Sequence, residues 1–137
     1  MRIMFLVLFL GITLLLGGCA SDTHPILKGA YQSEIDGVGY VVQMSFQPDN
    51  NSFVEYIEGR EVDKGIYEKT SSNVYKLLSD KQSFQITLNK EDSFEIKIAS
   101  LNNGNTIKMK KIQDTPIYIG TEFDDVEKYE GLLEQND

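Results

Sequence analysis

From Gly29 onward, apolar side chains recur at every second residue in one short run after another. Phe84, Ile86 and Leu88 alternate with Ser83, Gln85, Thr87 and Asn89. Phe94, Ile96 and Ile98 alternate with Ser93, Glu95 and Lys97, and Ile107 and Met109 with Thr106, Lys108 and Lys110. Tyr40, Val42, Met44 and Phe46 share the pattern. Successive side chains of a strand point to opposite faces, so these runs read as strands with one buried face and one wet face. Weaker runs of the same kind lie at 52–58, 61–69 and 73–79.

Turn residues punctuate the runs about every eight to twelve positions. Asn103-Gly104 is the strongest signal, because both residues tolerate positive φ and suit a type I′ hairpin. Pro48–Asn51, Glu58-Gly59-Arg60, Thr70–Asn73, Ser79–Gln82 and Asn89–Asp92 mark the other turns. Gly65 interrupts a strand pattern and is a candidate bulge. The spacing predicts strands over 29–34, 39–47, 52–58, 61–69, 73–79, 83–89, 92–100 and 105–113. Short loops between them imply an all-β antiparallel meander. Such a meander closes into a small up-and-down barrel, which removes exposed edges, or stays an open sheet or sandwich.

The first residues obey a different rule. Arg2 is followed by an almost unbroken apolar run from Ile3 to Leu16. That is short of the roughly 20 residues a membrane helix needs and fits the apolar region of an export signal. The run ends in Leu16-Gly17-Gly18-Cys19, and Cys19 is the only cysteine of the chain. This segment resembles the lipobox of bacterial lipoproteins: an aliphatic residue, two small residues, then the cysteine. The small residues let the peptidase bring an extended backbone close to its catalytic groups. The resemblance implies a signal peptide over 1–18, acyl chains on Cys19, and a protein held by palmitate-type lipid on the extracytoplasmic face of the membrane. Two or three chains anchor stably where one does not. Ala20 follows the cysteine, so no aspartate stands there as an inner-membrane retention signal. Eleven lysines against two arginines, with abundant asparagine, point to an AT-rich, Gram-positive host. Residues 19–28 then read as a tether, and 29–120 as the barrel domain.

The end of the chain is acidic. Residues 122–137 hold seven acids and one lysine, whereas the whole chain has a net charge of −8. Thr121 is a candidate helix cap with Asp124 three residues on, and Phe123, Val126, Tyr129 and Leu133 form a narrow apolar stripe. Residues 121–137 therefore read as a short amphipathic helix and tail with a solvated acidic face, or as a docking element for a basic partner.

Chemistry-bearing motifs are missing from this sequence. His24 is the only histidine and sits in the tether, so a Ser-His-Asp or Cys-His site has no histidine placed by the fold. There is no GxSxG, HExxH or phosphate-binding glycine loop. Asp49-Asn50-Asn51-Ser52 offers oxygen ligands but lacks the glycine and closing glutamate of a calcium loop, and reads as a turn. The expectation is therefore a non-enzyme with no cofactor and no metal. The acidic balance argues against nucleic acid as a partner.

Together, the lipobox, the eight-strand meander and Gly29-Ala30-Tyr31 on the first strand resemble the calycins, and within them small lipocalin-like lipoproteins of Bacillus-type bacteria. Lipocalins carry Gly-x-Trp on the first strand, with the tryptophan plugging the closed barrel end; this chain has no tryptophan, and Tyr31 would take that place. A basic residue on the last strand packs over that ring in the family, a role for Lys108 or Lys110 here. The resemblance implies a calycin-like barrel that binds an apolar or amphipathic small molecule.

The face that would meet such a ligand carries Tyr31, Tyr40, Val42, Met44, Phe46, Phe84, Ile86, Phe94, Ile96 and Met109. The plain reading of the same residues is core packing. Glu55 falls in phase with Phe53 and Ile57, so either Val54 and Tyr56 face inward or a carboxylate points into the barrel. The competing function is a protein-interaction module of the envelope-stress, inhibitor or immunity type, with a filled barrel.

Overall fold

A computed structural model describes residues 24–34 and 39–134. The expected signal peptide, Cys19 and the first part of the tether lie outside the described residues, as do 135–137.

Eight strands follow one another along the chain: β1 (Gly29–Ser33), β2 (Val42–Gln47), β3 (Ser52–Ile57), β4 (Arg60–Lys69), β5 (Val74–Ser79), β6 (Ser83–Thr87), β7 (Ser93–Ile96) and β8 (Ile107–Gln113). All form one antiparallel sheet in the order β6-β5-β4-β3-β2-β1-β8-β7. Each strand thus pairs with its neighbour in sequence except β6 and β7, and β8 returns to pair with β1. The result is the expected all-β meander curled into a nearly closed barrel, with one short C-terminal helix.

Period two supplies the core. Val42, Met44 and Phe46 of β2, Tyr75 and Leu77 of β5, and Ile107 and Met109 of β8 all point inward and are buried. Bulges change the phase at two places: between β1 and β8, Ala30 opposes Gln113 and Tyr31 opposes Lys111, which leaves Ile112 as an extra residue. Between β3 and β4, Glu55 opposes Asp63 and Tyr56 opposes Glu61, which leaves Val62 as an extra residue. A bulge turns two neighbouring side chains toward one side, and both Val62 and Asp63 are buried. Gly65, the sequence candidate for a bulge, instead stays in register opposite Phe53. Its role is close approach: a Cβ there would collide with the Leu78 carbonyl of β5.

Two turns differ from expectation. The tight hairpin with positive φ at both positions is Glu58-Gly59 (φ 50° and 78°), between β3 and β4. Asn103-Gly104 belongs instead to a 3-10 turn, Asn102–Gly104, inside a longer connection from β7 to β8. There the Leu101 N–H donates to the Ile98 carbonyl, and both side chains are buried in the core, so β7 stops at Ile96 rather than near 100.

Both barrel ends are covered. At one end Leu27 is buried, its N–H donating to the Tyr75 hydroxyl at 3.3 Å, above the rings of Tyr31, Phe46, Tyr67 and Tyr75. At the other, the chain after β8 crosses outside β2 and β3, where the Ile117 N–H donates to Ser45 Oγ and the Ile119 N–H to the Tyr56 hydroxyl. It then reaches α1 (Val126–Glu130), whose Tyr129, with Leu132 and Leu133 beyond, packs on the core. Arg60 pins this segment. Its guanidinium lies 4.0 Å from the Phe123 ring centre and 4.6 Å from that of Tyr129, and two of its nitrogens each reach an Asp125 oxygen at 3.0 Å. Asp125, not Thr121, is the residue before the helix, and Arg60 takes its carboxylate, so the helix is shorter than the stripe suggests.

Gly65→Ala tests the β4–β5 approach: it is expected to cost about 1–3 kcal/mol of unfolding free energy, because the ladder must shift to admit one methyl group. Chemical denaturation of the variant and the wild type measures it, and an unchanged midpoint would contradict the close approach.

Candidate functional site

The missing ladder between β6 and β7 makes the one break in the barrel wall among the described residues. The turn that joins the two strands explains how it arises. Asn89 Oδ1 accepts from the Glu91 and Ser93 N–H groups, both at 3.0 Å, and its Nδ2 donates to Ser93 Oγ at 2.7 Å. A side-chain amide thereby takes the first backbone donor of β7, which a ladder would have given to β6. The Asn89 N–H still donates to the Ser93 carbonyl at 2.9 Å. The strands are therefore held together at the turn and part beyond it.

Between them lies an open groove of about 520 Å³. Its apolar side is Phe84, Phe94 and Ile96; its rim carries Glu95, Lys97 and Lys108. The groove volume falls in the range of small-ligand sites, but seven of its ten lining residues are polar or charged, where such sites are mostly apolar.

The ten ligand candidates divide between core and groove. Tyr31, Phe46 and Phe94 pack ring against ring, with centres 5.6 Å (Tyr31–Phe46), 4.9 Å (Tyr31–Phe94) and 5.9 Å (Phe46–Phe94) apart. Phe46 also meets Tyr67 edge-on at 5.4 Å. Val42, Met44, Ile86 and Met109 are buried beside them. Tyr40 is half-buried, its ring 6.0 Å from that of Tyr129 under the C-terminal segment. Phe84, Phe94 and Ile96 meet at the floor of the groove, where Phe94 and Ile96 are buried in the core and only Phe84 is half-exposed.

Tyr31 sits at the base of this arrangement. Its hydroxyl donates to Asp92 Oδ1 at 2.6 Å, and burial, then this bond, raises its pKa. The cation over its ring is Lys111, with Nζ 4.9 Å from the ring centre, rather than Lys108 or Lys110. Lys111 is in phase with Ile107 and Met109 on β8, while Lys108 and Lys110 face solvent. Lys111 also reaches Asp92 at 3.3 Å, so one ion pair holds the β6–β7 turn against the barrel base.

Glu55 does point inward and is buried. Gln82 Nε2 donates to Glu55 Oε2 at 3.1 Å and to Asp63 Oδ2 at 2.7 Å, and Ser79 Oγ donates to the same Asp63 oxygen at 2.8 Å. The bulge is what brings Asp63 to this cluster. Burial pushes the Glu55 carboxyl up to about 7, with neighbouring Asp63 acting in the same direction. A carboxyl held near 7 can take up or release a proton close to neutrality. No group of three or more metal-ligating side chains occurs among the described residues.

Sequence reasoning found the Glu55 phase and the aromatic wall but missed the groove rim. Gln82–Asn89 is an uncharged run of eight residues, but 37–48 and 98–107 are longer ones, so the run by itself did not single out the edge.

Two measurements follow. Glu55 binds its proton more tightly folded than unfolded, so its contribution to stability is full below about pH 4.5 and is lost as pH rises toward 7. Glu55→Gln is therefore expected to match the wild type at pH 4 and to exceed it by about 3 kcal/mol at pH 8; parallel pH–stability curves would contradict the buried carboxylate. Phe46→Ala, at the centre of the ring cluster, is expected to cost about 3–5 kcal/mol. A near-neutral effect in thermal unfolding would mean that Phe46 lines space instead of filling it.

Comparison of the chain with protein-family models, with curated proteins and with solved structures found no match to any of them.

Proposed function

We propose that this chain is a membrane-anchored extracytoplasmic lipoprotein whose small lipocalin-like barrel binds an apolar or amphipathic molecule at the β6–β7 groove. Acyl chains on Cys19 supply the anchor, and the short tether keeps the barrel near the membrane face. Support for the barrel class comes from the eight-strand meander and from Lys111 over Tyr31 at the covered end. The observation that carries the binding site is the groove of about 520 Å³. Rings occupy the barrel base and the C-terminal segment covers the other end, which leaves the wall as the route to apolar surface. Phe84, half-exposed in the wall with Phe94 and Ile96 buried behind it, would meet the apolar part of the ligand, while Lys97 and Lys108 at the rim stay in water.

A second reading is a protein-interaction module with a filled barrel. It is favoured by a shallow outer groove beside Gly65, where Val54, Ile66 and Leu78 leave apolar surface on the wall and Ile66 is 58% exposed.

Phe84→Asp is the test of the first reading. Phe84 packs half-buried against the core, so the variant is expected to lose about 1–3 kcal/mol of stability and, while folded, to weaken capture of a fluorescent apolar probe at least tenfold. Undiminished binding by a folded Phe84→Asp protein would remove the groove as the site. Cys19→Ser is expected to move the protein from the membrane to the soluble fraction on cell fractionation; retention in the membrane would refute the lipid anchor.

A further inference from the structure

The groove is bounded by backbone as well as side chains. β6 pairs with β5 alone and β7 with β8 alone, so each strand has a second edge whose N–H and C=O groups no ladder uses. A free edge is a template for another strand, and proteins usually blunt it with charge, proline or a bulge. β6 carries none of these. Ser83-Phe84-Gln85-Ile86-Thr87 has no charged residue, no proline and no glycine, and its ladder with β5 runs in register from Ser83 to Thr87 without a bulge. β7 offers one charge, Glu95.

We infer that the groove takes its ligand as an added β-strand: an extended polypeptide segment, apolar and acidic at alternate residues, that pairs with the free edge of β6. This rests on the groove being the binding site and narrows the amphipathic ligand to a peptide. The pleat supplies the alternation. A strand laid beside β6, beyond the turn where the two strands part, turns every second side chain inward toward half-exposed Phe84, with buried Phe94 and Ile96 behind it, and the others toward Gln85, Thr87 and the rim. Charge supplies the acidic preference. Lys97 and Lys108 stand on the rim with Glu95 between them, and among the described residues neither lysine makes an ion pair. Acidic residues on the outer face of the added strand would meet these two cations. Backbone pairing then gives affinity, and the inner wall and the lysines give selectivity.

The test uses the full chain in phosphatidylcholine nanodiscs and a capped seven-residue peptide alternating valine and glutamate. Residue-level amide exchange is the first readout. Alternate amides within Ser83–Thr87, fast in the free protein, are expected to slow at least tenfold with peptide. The second readout is a charge swap at solvent-facing positions, which leaves the fold in place. Lys97→Glu with Lys108→Glu is expected to weaken the glutamate peptide about tenfold and to strengthen a valine–lysine counterpart.

Binding of a dodecyl fluorophore at Phe84 with no protection of Ser83–Thr87 by either peptide would overturn the strand and leave the small-molecule reading standing. Failure of fluorophore and peptides alike would overturn both. Protection that grows with protein concentration in the absence of peptide would identify a second copy of the chain as the occupant, and would also overturn the inference.

Discussion

A sheet that curls until its first and last strands meet has to do something with every edge it owns. In this barrel β1 pairs with β8, so the chain termini close the wall, and the unpaired edges fall in the middle of the sequence at β6 and β7. That displacement organises the rest. The turn between them is set by Asn89, which spends its amide on Ser93 and so withholds a donor from the ladder. The same turn is tied down by Asp92, which accepts from Tyr31 at the barrel base and meets Lys111 from β8. The gap is therefore held at its closed end by named side chains, and it is not a frayed margin of the sheet.

Two further devices keep the barrel from opening elsewhere. The aromatic cluster about Phe46 fills the base with ring-to-ring contacts, a geometry that edge-on aromatic pairs favour beyond the area they bury. At the far end Arg60 joins a strand to the C-terminal segment through two rings and a paired carboxylate. Arginine suits that place because its planar fork matches both partners at once, where lysine would present only a point charge. The acidic segment, which read as a short amphipathic helix with a solvated face or as a docking element, is bound through Asp125 to the barrel's own cation, with Tyr129 and Leu133 of its stripe turned onto the core.

Period two made the strands legible, since one buried and one wet face forces the alternation that Tyr40–Phe46, Phe84–Leu88 and Phe94–Ile98 display. The same phase offered an inward Glu55 as one of two alternatives, and would have named Lys111 had its position after Ile107 and Met109 been followed one step further. What period two does not carry is which neighbours fail to pair. The bulge at Val62 arises from a two-against-one register that no local residue announces. Glu58 at φ 50° beat Asn103 to the tight hairpin because its ladder, Ile57 opposite Arg60, left only two residues to turn, and its carboxylate receives the Val41 N–H at 2.6 Å. Asn103-Gly104, with Ile98 and Leu101 drawn into the core, sits in a connection too long for that turn. The groove needed the absence of a ladder, and its sequence trace, an uncharged run at Gln82–Asn89, becomes meaningful only once that run is known to be an edge.

Barrel size decides where a ligand can go. Eight strands enclose an interior that side chains can just fill, and here large rings occupy positions that a roomier barrel would leave to a guest. Removing one of them costs packing energy, so the protein does not gain a cavity freely. A wall defect is different. Leaving β6 and β7 unpaired gives up a few exposed hydrogen bonds, each of which is worth little against water, while Phe94 and Ile96 stay buried in the core and Phe84 is left half-exposed. For a barrel this narrow, a break in the wall costs less stability than a cavity in the interior.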